Sequence, residues 1–140
     1  MLGILGIAGA IAFFLIAGLH VYWMLAPSVD FSRLINLDKN GKRMNPGKAA
    51  TLFVALVFLG AGLLPLVSLG IIPLPLPQLA IDIMLILGIA VLLLRGVGGL
   101  IGSLVKKQPR DIFDTWNIRL YTWICIFLAV AYLACLLFNH

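Results

Sequence analysis

The sequence predicts an all-α, polytopic membrane protein: a four-transmembrane-helix bundle with the N- and C-termini on the non-cytoplasmic side. Two observations predict it, namely four long apolar runs and the clustering of the basic residues. Each run is long enough to cross a hydrocarbon core of about 30 Å, which takes roughly 20 helical residues. We therefore expect a single domain, residues 1–140, with spans at about 2–25, 49–72, 79–105 and 118–138.

The composition supports a membrane protein. The chain is 63% hydrophobic and 11% charged, with a mean hydropathy of +1.15. Soluble domains are about half apolar and a quarter charged, so a soluble protein of 140 residues could not bury four such runs. Backbone polar groups in lipid must be satisfied within the segment, so the spans are predicted to be helices rather than open strands.

The basic residues predict the topology. Eight of the ten Lys and Arg residues lie in the first and third connections, and a ninth, Arg119, follows directly at the start of the last span. Four spans place these two connections on one side of the membrane. By the positive-inside rule this side is cytoplasmic. Insertion bias and attraction to anionic headgroups account for the net charge of +5, so membrane lipids are the expected partners and nucleic acid is not.

The elements follow in order along the chain. The first run lacks a basic n-region and a small-residue cleavage site, so we interpret it as a retained helix. In the first connection, Asn40-Gly41 indicates a short hairpin. Asn45 is a good N-cap and Pro46 suits the first position of the second helix. Pro65, inside the second span, is predicted to kink that helix or loosen one turn.

The remaining connections differ in character. Alternating prolines in residues 73–78 forbid a helix and favour a stiff, extended turn. The third connection, residues 106–117, ends in an amphipathic stretch that we expect to lie along the interface before the last helix.

Arg95 is the most informative single residue, because it lies about ten residues inside the third span. Arginine within a span is costly. One hypothesis makes it a ligand for an anion, such as a lipid phosphate or a carboxylate. The other makes it structural, with a side chain that snorkels to the interface or bonds to neighbouring helix carbonyls. Gly98 and Gly102 form a small-xxx-small pair, which predicts tight helix packing within the bundle or, alternatively, a hinge or cleft.

Five polar residues are candidate ligand-binding residues because all lie in the predicted cytoplasmic half and could converge in one pocket: His20, Arg95, Asn117, Arg119 and Tyr121. The structural alternatives are an interhelical hydrogen bond for His20 and an ordinary aromatic belt around Arg119. The expected interface anchors are Tyr22, Trp23, Trp116 and Trp123.

Motifs for catalysis are absent from the sequence. It has no HExxH, no clustered His/Cys set, no Gly-rich phosphate loop and no GxSxG. No catalytic residue, metal or cofactor is assigned. Cys125 and Cys135 are about 15 Å apart on one helix, too far for a disulfide, and are expected to be buried thiols. Asp82 lies near the start of the third span, where the helix dipole favours a negative charge.

Three short elements resemble the DUF3995 family, small bacterial four-span membrane proteins of unknown function. They are residues 17–23 (AGLHVYW), residues 40–42 (NGK) before Pro46, and residues 117–122 (NIRLYT). The family usually has a proline soon after the tyrosine of the last element, whereas Trp123 stands here. The resemblance implies the fold and a location in the bacterial inner membrane, and it implies no activity.

The leading functional hypothesis is a binding or accessory protein for a lipid or amphiphile with an anionic head, held near His20, Arg95 and Arg119. The first alternative is a small transporter that works as an oligomer, although the first span has no carboxylate. The second is a membrane enzyme acting on a lipophilic substrate, with His20 or Tyr121 as acid or base. A homo-oligomer or a larger membrane complex is expected because a single small bundle has a large lipid-facing perimeter.

Overall fold

The predicted all-α bundle of four long apolar helices is confirmed, and the side on which its termini lie stays a prediction. The computed structural model describes residues 1–26, 47–105 and 112–138, and four helices in these ranges are long and apolar enough to cross a membrane. The protein is therefore a multi-pass membrane protein. Its elements are α1 (Leu2–Leu25), α2 (Lys48–Ser68), α3 (Gln78–Val105), α4 (Ile112–Trp116), a π-helical turn (Asn117–Tyr121) and α5 (Thr122–Phe138). The last three are continuous, and we call them together the last helix (Ile112–Phe138).

Neighbouring helices run antiparallel. Gly3 of α1 faces Leu69 just beyond α2, and Gly9 faces Ala131 near the end of the last helix. Gly96 of α3 faces Cys125 in the same way. The main contacts are α2 with α1, α1 with α5, and α5 with α3, whereas α2 and α3 touch only slightly. The last helix therefore lies between α1 and α3, and it is the element that joins the two halves of the bundle.

The core lies where these helices meet. Its buried residues come from all four long helices: Phe13, Val67, Ile81, Leu85, Leu128, Tyr132 and Cys135. Glycines let α1 approach α5 closely, because a Cβ added to Gly9 would come within 2.5 Å of Ala131 Cβ. Most other large apolar side chains are exposed on the outside of the bundle, as expected for helices surrounded by lipid.

The helix ends differ from the predicted spans at two places. α2 ends at Ser68 instead of residue 72, because Gly70 takes a φ of +70° and closes a Schellman motif. In this motif the Ile71 N–H donates to Leu66 O at 2.9 Å and the Gly70 N–H to Val67 O at 3.0 Å. The last helix begins at Ile112, six residues before the predicted span, so the amphipathic stretch continues into it as helix.

The connections are described in part. Residues 73–77 are non-helical, as the alternating prolines predict, and α3 begins at Gln78. The N-cap of α2 is Gly47, whereas the predicted cap Asn45 and Pro46 lie outside the described residues. The predicted hairpin at Asn40-Gly41 also lies outside them.

Candidate functional site

The Arg95 side chain links α3 to the last helix by a hydrogen bond. Its Nη1 donates to Oδ1 of Asn117, the first residue of the π-helical turn, at 3.0 Å. Asn117 is only 1% exposed, whereas Arg95 is exposed. A buried amide therefore holds one Nη of an arginine that is exposed as a whole. Because α3 runs on for ten residues to Val105, the Arg95 backbone lies about 15 Å from the end of this helix.

The pairing continues into a buried polar cluster. Asn117 Nδ2 donates to Ser103 Oγ at 2.9 Å, and Ser103 Oγ donates to Asp114 Oδ1 at 3.2 Å. Ser103 is 3% exposed and Asp114 is 2% exposed. A buried carboxylate is tolerated only when it is well hydrogen-bonded. We call Arg95, Asn117, Ser103 and Asp114 the polar chain.

Gly99 makes room for the polar chain. A Cβ at this position would come within 2.5 Å of Arg95 Nη1 and 3.2 Å of Asn117 Oδ1. Since Gly99 is one turn beyond Arg95 towards the end of α3, the arginine side chain extends in that direction. This is the direction in which a snorkelling arginine would extend.

An open cavity of about 390 Å³ lies beside the polar chain. Three kinds of group line it: the charged and polar side chains of the chain itself, the aromatic ring of Phe113, and the bare backbone of two glycines. The lining residues are Arg95, Gly99, Gly102, Ser103, Phe113, Asp114 and Asn117. The cavity thus combines a cation, a carboxyl group, hydrogen-bonding groups and an aromatic face at the edge of two membrane helices.

The π-helical turn sets the register of this site. The Thr122 N–H donates to Asn117 O, five residues back, where an α-helix would use four. The Thr122 hydroxyl donates to Gly96 O on α3 at 3.3 Å. The extra residue in the turn lets Asn117 face Arg95 while Thr122 still faces Gly96. Single π-turns inside α-helices occur frequently at functional sites.

The structure brings together two of the five sequence-predicted residues, Arg95 and Asn117. Tyr121 packs near the cavity, with its ring centroid 6.3 Å from that of Phe113. Arg119 is exposed and does not line the cavity. The ligand-binding role of all five residues stays a prediction.

His20 lies at a different place, between α1 and α2. Its Nδ1 is 2.8 Å from Ile16 O, so this nitrogen carries the proton and donates. Its ring packs against Trp23 and Phe58, with centroids 4.8 and 5.2 Å away. His20 does not line the cavity that Arg95 lines.

The aromatic residues predicted as interface anchors differ in exposure. Tyr22 and Trp123 are exposed, whereas Trp23 and Trp116 are half-buried. The half-buried Trp23 packs on His20. Their role as anchors stays a prediction, because exposure alone does not place them at the membrane interface.

Gly99, Ser103 and Asp114 are not among the sequence-predicted site residues. A signal was present in the spacing, because Arg95, Gly99 and Ser103 are four residues apart and share one face of α3. Asp114 and Asn117 are three apart and share a face of the last helix in the same way. The amphipathic pattern before residue 118 predicts an interfacial segment, so it gives no indication that Asp114 is buried.

The expected packing role of Gly98 and Gly102 is not observed in the described part of the chain. A Cβ at either position would meet nothing within 4 Å. Close approach on α3 instead involves Gly88, Gly96 and Gly99, where an added Cβ would contact the Tyr132 ring, the Cys125 side chain and the Arg95 guanidinium respectively. Gly102 borders the cavity, as the cleft alternative requires.

The sequence model of a family described as "Protein of unknown function (DUF3995)" matches residues 13–132. The chain belongs to the DUF3995 family. The match runs from the middle of α1 to the middle of α5, so it includes every residue of the polar chain. No curated protein and no solved structure matches this DUF3995 chain.

Proposed function

We propose that this DUF3995 protein binds the anionic head of a lipid or other amphiphile at Arg95, as a binding or accessory protein of the bacterial inner membrane. The observation that carries the proposal is the position and hydrogen bonding of the Arg95 guanidinium. It is exposed beside a cavity and is held on one side by the buried amide of Asn117. The described part of the chain shows no second hydrogen-bond partner for this guanidinium, so we infer that a ligand can bind its remaining N–H groups.

The guanidinium favours an anion, although the Asp114 carboxyl also lines the cavity. A guanidinium has five N–H donors and no acceptor, and the bond to Asn117 uses one of them. A charge within a membrane span is costly unless it finds a partner or water. A phosphate or carboxylate would supply two oxygens in the planar arrangement that arginine prefers. The apolar exterior of the helices would receive the acyl chain of the same molecule.

The structural hypothesis predicts a different outcome on substitution. An arginine that only snorkels can be replaced by lysine, because both have a long apolar stem and a charged end. A bidentate anion site distinguishes them, because an ammonium cannot form two parallel bonds in one plane. Arg95→Lys therefore separates the two hypotheses better than Arg95→Leu alone.

The test is native mass spectrometry of the gently extracted protein after exchange into micelles containing phosphatidylglycerol or phosphatidylcholine. The variants are Arg95→Leu and Arg95→Lys. Arg119→Leu is the matched control, because it removes an exposed arginine that does not line the cavity. The same spectra give the oligomeric state, which bears on the expected homo-oligomer.

Wild type and Arg119→Leu are expected to retain phosphatidylglycerol, whereas both Arg95 variants lose it. Retention of phosphatidylglycerol in Arg95→Lys but not in Arg95→Leu would show that the site needs a positive charge but no bidentate geometry. Equal retention in all four proteins, or none in any, would contradict the proposal and leave Arg95 with a structural role.

A further inference from the structure

The polar chain has a fixed direction of hydrogen-bond donation. Arginine can only donate hydrogen bonds, and at the other end Asp114 Oδ1 accepts from the Ser103 hydroxyl. Asn117 and Ser103 stand between these two ends, and each accepts from one neighbour and donates to the next. All three bonds therefore run the same way, from Arg95 to Asp114.

This direction determines which atom of Asn117 faces Arg95. The Ser103 hydroxyl has one hydrogen, and Asp114 receives it at 3.2 Å. Its oxygen is then free to accept, and Asn117 Nδ2 supplies the donor at 2.9 Å. The other end of the amide, Oδ1, is consequently turned towards Arg95. Without Ser103, Nδ2 would lose its acceptor, and only the bond from Arg95 would hold the amide in this orientation.

We propose that Ser103 and Asp114 are positioning residues for the anion site: they orient the Asn117 amide, and through it they hold the Arg95 guanidinium in one orientation towards the cavity. The proposal rests on the proposed function, since it assigns roles within the same site. Neither residue has to touch the ligand. Preorganised donors bind an anion better than mobile ones, because less side-chain entropy is lost on binding.

Gly99 and the π-helical turn complete the arrangement. The turn provides the one-residue offset that brings Asn117 opposite Arg95, and Gly99 leaves space for the two groups to meet. Gly99, the π-helical turn, Ser103 and Asp114 thus all act on the orientation of one side chain, that of Arg95. A guanidinium that served only to reach water would need none of them.

The test observes Arg95 directly by side-chain NMR of protein labelled with ¹⁵N-arginine, in micelles without added lipid. The Arg95 signals are assigned by their loss in Arg95→Lys. Hindered rotation of the guanidinium gives separate Nη signals, whereas free rotation averages them. The variants are Ser103→Ala, which removes the hydroxyl, and Ser103→Thr, which keeps it. Gly98→Ala is the control, since an added Cβ there meets nothing within 4 Å.

Separate Nη signals are expected in wild type, Ser103→Thr and Gly98→Ala, and averaged signals in Ser103→Ala. Retention of phosphatidylglycerol should fall roughly tenfold in Ser103→Ala, about the effect of one hydrogen bond. Unchanged Nη signals and retention in Ser103→Ala would overturn the positioning role while leaving the proposed function intact. If the wild type retains no anionic lipid, both the proposed function and the positioning role are wrong, even if the Nη signals differ between wild type and Ser103→Ala.

Discussion

The Tyr132 hydroxyl on α5 donates a hydrogen bond to the backbone carbonyl of Ala61 on α2, at 2.7 Å. Ala61 is four residues before Pro65, which lies inside α2 and has no N–H to donate. The carbonyl that the proline leaves without its usual donor therefore receives one from another helix. This explains how α2 continues to Ser68 through a proline in a region that lipid surrounds.

Tyr132→Phe should destabilise the protein by about 1–2 kcal/mol, because it leaves a carbonyl in the bundle without a donor. The free energy of unfolding can be measured by titration with a denaturing detergent. Tyr22→Phe is the matched control, since Tyr22 is exposed and its loss of a hydroxyl should change little. Equal effects of the two substitutions would mean that the Ala61 bond contributes nothing measurable.

Pro65→Ala offers a stricter test, because it restores an N–H that can bond to Ala61 within α2. In this background Tyr132→Phe should cost less than in the wild type. The difference is the coupling energy of a double-mutant cycle. A coupling energy of zero would show that Tyr132 stabilises the bundle through packing alone and does not compensate for the proline.

Gly99→Ala should destabilise the polar chain, whereas Gly98→Ala should be neutral or stabilising. The added methyl at Gly99 would displace the Arg95 guanidinium and the Asn117 amide, while the one at Gly98 enters open space. Alanine otherwise favours a helix over glycine by about 1 kcal/mol. Thermal unfolding of the two adjacent variants gives the comparison. A lower midpoint for Gly98→Ala than for Gly99→Ala would contradict the described packing.

The fold could be predicted from the sequence because the hydrocarbon core of a membrane permits few backbone structures. A run of about 20 apolar residues must form a helix, and turn chemistry then separates the runs. The alternating prolines of the second connection correctly predicted a non-helical segment, which ends at Pro77, one residue earlier than predicted. The end of α2 was predicted four residues too late, because Ile71 and Ile72 continue the apolar pattern past the helix-ending Gly70.

The site could be predicted only in part. Arg95 and Asn117 were identified from their chemistry, but their partners depend on how α3 and the last helix align. That alignment includes a π-helical turn, which adds one residue and has no known signal in this sequence. His20 was grouped with Arg95 because both lie at the same predicted depth. Depth does not determine which helices are neighbours, and His20 packs between α1 and α2.

Gly9→Ala should weaken the packing of α1 on α5 by about 1–3 kcal/mol, the usual range for overpacking. Its Cβ would come within 2.5 Å of Ala131 Cβ, and neither helix backbone can shift without moving the core. Gly18→Ala on the same helix is the control, because an added Cβ there meets nothing within 4 Å. Detergent titration of both variants should show a loss of stability only for Gly9→Ala.

The charge pattern predicts which connections face the cytoplasm, and cysteine labelling can test it. Cys125 and Cys135 would first be replaced by alanine, and Gln108→Cys or Leu76→Cys introduced singly. A membrane-impermeant maleimide should label Leu76→Cys in intact cells, and Gln108→Cys only after permeabilisation. The physical reason is that nine of the ten basic side chains lie in the first and third connections or directly at their ends, and these segments resist translocation. The reverse labelling pattern would place Arg95 in the outer half of the membrane, and its ligand would then come from the outer leaflet.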